Sequence, residues 1–176
     1  MKNKLFLIGV LGVLQSGCVG TYVPPPKPEP VVSLSAFNGK TVSIVPQFDP
    51  CIGKGSYQSD SHFGVYVGGS WNETQSNRFL LRVQVIGTYV IMTSARLRLG
   101  DDIIDLVPVG ITDMSIGNAE TCTQDFAAPL AVLKQMIQSP CWLQVITPTG
   151  TIEGSICQDE DAMDGLKKLW TVVSQQ

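Results

Sequence analysis

The chain has a single histidine, His62, so any Ser-His or Cys-His nucleophile pair would have to use it. It lies in QSDSHFG, a loop-like stretch. Asp60 and Ser61 beside it supply triad residue types, but adjacency in sequence is not triad geometry. His62 is therefore read as structural or solvent-facing. GxSxG, HExxH and phosphate-loop patterns are also missing. No two of the five cysteines form a CxxC pair, which argues against a redox motif or zinc knuckle. Charge is sparse, with 12 basic against 15 acidic side chains. That balance argues against nucleic acid and against a polybasic hold on anionic lipid. Beyond the first residues, no apolar run reaches the roughly 18 residues of a membrane-spanning helix. These absences assign no catalytic, metal-binding or cofactor-binding residue, and the chain reads as a non-enzyme.

The acidic residues that are present have plain explanations. Asp101, Asp102 and Asp105 could supply paired carboxylates, though a polar hairpin turn accounts for them equally well. Asp159, Asp161 and Asp164 fail as a calcium loop, because Met163 stands where an oxygen ligand is needed and no Glu closes the loop. They suit the start of a helix. Arg78, Arg82, Arg96 and Arg98 form the main basic cluster, either the solvated face of a sheet or an interaction patch.

The amino terminus is more specific. Lys2 and Lys4 precede an apolar run from Leu5 to Leu14, about the length of a signal-peptide core. Leu14-Gln15-Ser16-Gly17-Cys18 follows, with small residues directly before the cysteine. This stretch resembles the lipobox of bacterial lipoproteins, although Gln15 stands where that family usually has Leu. The resemblance covers only about the first 20 residues. It implies that residues 1–17 are removed, that Cys18 becomes the lipidated N-terminus carrying acyl chains, and that Val19 directs the protein to the outer membrane. The next twelve residues, VGTYVPPPKPEP, contain five prolines. They favour a polyproline II spacer of roughly 30–40 Å. Residues 18–35 are thus expected to be a tether, and residues 36–176 a single domain with a sizeable core.

Within that domain Thr41–Val45 reads as a strand closed by Pro46, and Phe63–Val67 as another ended by Gly68-Gly69. Arg78–Ile86 places Phe79, Leu81, Val83 and Val85 on one face, the pattern of a half-buried strand. Gly87-Thr88 suits a two-residue hairpin leading to a return strand, Tyr89–Leu99. A turn at Asp101-Asp102 then gives a third strand, Ile103–Val109, and completes a meander. The rest of the acidic stretch to Asp125 reads as loop. A helix is expected from Asp125 as N-cap, with Phe126, Leu130, Leu133 and Ile137 on one face, ending at Ser139-Pro140. Trp142–Thr147 and Thr151–Ile156 make a second hairpin. A last helix runs from Asp161 to about Val173, with Ala162, Leu166, Leu169, Trp170 and Val173 inward. The fold class is α+β: a mostly antiparallel sheet with two amphipathic helices packed on it.

With Cys18 assigned to lipid, four cysteines remain, an even count that in an exported chain reads as two disulfides. A three-residue loop Pro148-Thr149-Gly150 would set Cys141 opposite Cys157. A two-residue loop Thr149-Gly150 would instead oppose Trp142 to Cys157. The first register is preferred, since it uses Gly150 at a left-handed position, and Cys51 with Cys122 follows by elimination. The functional expectation is a lipid-anchored, non-enzymatic outer-membrane component whose domain faces the periplasm and binds an envelope protein partner, without a cofactor. Alternatives are a binder or inhibitor of a soluble ligand or foreign hydrolase, and a carboxylate-dependent envelope hydrolase.

Overall fold

The computed structural model describes residues 27–36, 38–54, 63–117 and 119–176. Cys18, the expected leader, residues 19–26 of the expected tether and His62 lie outside them. Ten strands and two helices follow in the order β1 (Val31–Ser35), β2 (Gly39–Phe48), β3 (Ile52–Lys54), β4 (Gly64–Asn72), β5 (Arg78–Ile86), β6 (Ser94–Leu99), β7 (Asp102–Ile116), β8 (Glu120–Pro129), α1 (Leu130–Gln138), β9 (Cys141–Thr147), β10 (Gly150–Ser155) and α2 (Asp161–Val173). They form one antiparallel sheet in the order β1-β2-β4-β5-β8-β7-β6-β9-β10-β3, open at its edges β1 and β3. The α+β expectation holds at this coarse level, with β predominating.

Strand β5 carries the strictest alternation, burying Phe79, Leu81, Val83 and Val85 completely or nearly so. Helix α2 packs over β2 and β4, while α1 packs against β5, β8 and α2. In α2, Ala162, Leu166, Leu169 and Val173 are buried, and acidic Asp161 and Asp164 occupy the first turn, where the helix dipole favours them. The helix comes so close to the sheet that a Cβ on Gly165 would lie 2.8 Å from Ile44 Cγ2. Beyond α1 and α2, the inward residues of β6, β9 and β10 extend the same core through Leu97, Leu143, Val145 and Ile152.

Several expectations are corrected. Pro46 does not end β2, and Gly68-Gly69 does not end β4. Strand β2 holds one extra residue between Ile44 and Gln47, and this bulge lies against Gly68. A Cβ there would meet Ile44 O at 2.7 Å and Pro46 N at 2.8 Å. Bulge and glycine are thus one feature, and the bulge takes up a proline that has no N–H for the ladder. Nor do β5 and β6 form a hairpin: β5 lies between β4 and β8. Residues 87–93 instead cross towards the other half of the sheet, burying Thr88, Val90 and Met92. The meander exists one strand later, as β6-β7-β8.

The acidic stretch is mostly the long strand β7, not loop. Strand β8 then runs through Asp125 and Phe126, so the helix begins only at Leu130. Its first N–H donates to Asn77 O at 2.8 Å, without a side-chain cap. Residues Val31–Ser35, expected in the tether, pair with β2. Ahead of them, Glu29 joins Lys168 of α2 at 2.6 Å.

The disulfide assignment is also overturned. Thr147 pairs with Gly150 across a two-residue turn, Pro148-Thr149. The Thr147 hydroxyl closes it, accepting from Thr149 N and donating to Gly150 O. That register aligns Ser155 with Trp142 and lets Ile156 N donate to Cys141 O, so Cys141 faces the core, not Cys157. Strand β3 pairs with β10 at Gly154, bringing Cys51 to Cys157. These two form the disulfide, with Cα atoms 5.8 Å apart, and Cys122 and Cys141 are buried thiols.

Candidate functional site

Alternation in β6, β9 and β10 sends their apolar residues inward and leaves a chemically mixed outer face. In β6, Ala95, Leu97 and Leu99 are buried while Arg96 and Arg98 are exposed. In β9, Leu143 and Val145 are buried, whereas Trp142 is 40% exposed. Cross-strand register arranges the outward residues in rows. Ile103, Arg98, Trp142 and Ser155 form one row across β7, β6, β9 and β10. Asp105, Arg96, Gln144 and Glu153 form the next.

Contacts within these rows fix the side chains. The Arg98 guanidinium carbon lies 5.6 Å from the centroid of the Trp142 ring, a cation–π arrangement. Arg96 Nε is 2.8 Å from Asp105 Oδ1, and Gln144 Nε2 donates to Glu153 Oε2 at 2.7 Å. Arg96, Arg98, Ile103, Trp142, Gln144 and Glu153 line a concavity of about 280 Å³. It offers a broad aromatic face, an exposed aliphatic side chain and a guanidinium with no carboxylate partner among the described residues. Such a surface can hold an anionic or amphipathic group, but it contains no nucleophile aligned with a base.

The other basic residues of the cluster share this outer face. Arg82 stands opposite Asp125 and is bonded to it through Nε and Nη2, each at 2.7 Å. That bond is the main cause of the raised guanidinium pKa. Arg78 lies at the far end of β5, opposite Pro129. The expected acidic groups do not converge. Asp101 and Asp102 lie at the β6–β7 turn, while Asp105 is committed to Arg96. Asp164 and Glu29 both approach Lys168 of α2, at 3.7 Å and 2.6 Å.

Sequence reasoning missed Asp49. Its side chain is buried, with Oδ1 accepting from Cys51 N at 3.0 Å and Oδ2 from Cys157 N at 3.1 Å. The carboxylate therefore braces both ends of the disulfide. Burial pushes its pKa up, partly offset by these N–H groups. Asp49-Pro50-Cys51 was the available signal, since Asp before Pro favours a turn in which its side chain bonds the N–H two residues on. Cys141 has its pKa pushed up to about 12, first by burial and then by the nearby charge of Asp49. It is a packed thiol with little thiolate character. Among the described residues, no helix is long and apolar enough to cross a membrane. No protein-family model, curated protein or solved structure matches the chain.

Proposed function

We propose that this protein is a lipid-anchored, non-enzymatic component of the bacterial envelope that binds a protein partner through the outer face of its sheet. The observation that supports the reading is the Arg98–Trp142 pair beside exposed Ile103. Arg and Trp are the residue types most often found at the energetic centre of protein interfaces, and here a cation with no carboxylate partner among the described residues adjoins apolar surface. In this reading Cys18 carries the lipid, Val19 sends the protein to the outer membrane, and the tether sets the domain off from the bilayer. A disulfide suits the oxidising periplasm such a protein would face.

Two experiments test this. Wild-type protein should fractionate with the outer membrane, and Cys18→Ser should be soluble or unprocessed; wild-type protein wholly in the soluble envelope fraction overturns the anchor. Affinity capture from native envelopes should recover a partner with the Cys18→Ser protein and lose it when Arg98→Ala and Trp142→Ala are added. A partner retained by that variant, at unchanged melting temperature, overturns the surface assignment.

A further inference from the structure

Asp49, Cys51 and Cys157 converge, although the two cysteines are 106 residues apart in sequence. One carboxylate oxygen and the two sulfurs all lie within 4.8 Å of one another. The Asp49 side chain is buried and has no cationic partner among the described residues. Buried charges are ordinarily paired or bound to a metal. Its two oxygens each accept a backbone N–H, from Cys51 and from Cys157, which holds the carboxylate between the two cysteine backbones. Both oxygens keep free lone pairs. The negative charge of Glu160 acts on Asp49 from nearby, so the locality favours a cation. Neither cysteine is buried, so an ion in solution can reach them. Zinc takes thiolate sulfur at about 2.3 Å, so two sulfurs on one tetrahedral ion stand roughly 3.8 Å apart. With the cysteine Cα atoms 5.8 Å apart, turning the sulfurs about their Cα–Cβ bonds spans that distance without moving the backbone.

We propose that the dithiol form of the protein, the form in which the chain is made, binds one zinc ion through Cys51 Sγ, Cys157 Sγ and Asp49. Solvent takes the fourth tetrahedral position. Two thiolate sulfurs beside one carboxylate oxygen favour zinc over calcium and magnesium, which take oxygen ligands. Binding consumes no electrons: the two thiols release their protons to solvent as the two sulfur–zinc bonds form. The ion and the disulfide are thus alternative occupants of one place. When a small disulfide oxidant takes two electrons from the thiolates, the bond between 51 and 157 forms and zinc is released. The oxidant takes up two protons and leaves as two thiols. Until then zinc ties the start of β3 to the end of β10, as the disulfide later does. The inference does not rest on the Arg98–Trp142 surface.

The test uses the full chain with Cys18→Ser, Cys122→Ala and Cys141→Ala, so that only the two site thiols remain. Reduced with a phosphine, it should bind one cobalt(II) ion, with the intense visible absorption of a tetrahedral ion and a thiolate-to-cobalt band in the near ultraviolet. Zinc should displace the cobalt one for one. Zinc should also raise the melting temperature of the dithiol form, or fold it where the metal-free dithiol is unfolded, and leave the disulfide form unchanged. The same rise should occur with Cys122 and Cys141 restored, and disappear with Cys51→Ser. Asp49→Asn should shift the visible cobalt bands, which a merely structural role would not move. It should also weaken zinc by at least about tenfold, the cost of removing even an outer partner of a metal ligand. Absence of the thiolate-to-cobalt band, unshifted bands and equal zinc affinity in Asp49→Asn, or an equal rise in melting temperature for the disulfide form overturns the proposal.

Discussion

Arg82 and Asp125 face each other across β5 and β8, joined by two hydrogen bonds of 2.7 Å. The pair sits on the outer face, so its contribution is screened, about 1 kcal/mol or less. Arg82→Asp loses it and places two carboxylates opposite each other. We expect a melting temperature modestly below wild type, substantially regained when Asp125→Arg is added. No recovery in the double variant would show that the pair does not couple the strands.

The neighbouring residue points the other way. Val83 is fully buried, so Val83→Asp places an unpaired carboxylate in the core, costing on the order of 4 kcal/mol or preventing folding. Denaturant unfolding of the Val83 and Arg82 variants compares the two faces directly. Similar losses in both would contradict the assignment.

The disulfide gives a covalent check. Peptide mapping without reduction should recover 51 linked to 157, with 122 and 141 alkylated only after unfolding. The bond spans a sequence separation of 106, so Cys157→Ser should cost about 4.7 kcal/mol on the chain-entropy model. A 141–157 peptide would refute the strand register.

Asp49→Ala leaves the part-buried N–H groups of Cys51 and Cys157 without their acceptor, for a loss of about 1–3 kcal/mol. Its pH behaviour has a definite sign. The folded pKa lies above the ordinary 3.8, so the stability that protonated Asp49 contributes is complete below that value. It is lost as pH rises through the raised one. The stability of wild type relative to Asp49→Asn should therefore fall as pH rises above 3.8. A difference that stays constant or grows would contradict the burial argument.

Elements with a strong local period were legible in the sequence. Strand β5 and helix α2 have the boundaries their patterns suggest, because one-sided burial imposes a period of 2.0 or 3.6 on neighbouring residues. Strand β8 was obscured because one of its inward residues is Gln124, and Ala127-Ala128 suits a helix equally. Gln124 is tolerated because its amide donates to Val109 O at 3.0 Å and its oxygen accepts from Thr112. That polar cluster forms where β7 carries two extra residues between Val109 and Asp113. It depends on residues distant in sequence. The candidate site was half visible. Arg96 and Arg98 stood out as basic residues at alternate positions, but Trp142 joins them only through the β6–β9 pairing, which nothing near either strand announces.

The one disulfide among the described residues joins positions 106 apart in sequence, and this bears on biogenesis. During synthesis Cys51 appears before Cys122 and Cys141, and both of those precede its true partner, Cys157. Until β8 and β9 bury those two thiols, each is a wrong partner within reach. Antiparallel pairings as remote as β5 with β8 form slowly, which prolongs the exposure. Oxidative refolding of wild type should therefore pass through scrambled species, and replacing both Cys122 and Cys141 with Ala should hasten the native bond. The two buried thiols would then be a hazard of assembly that ends only when the sheet is complete.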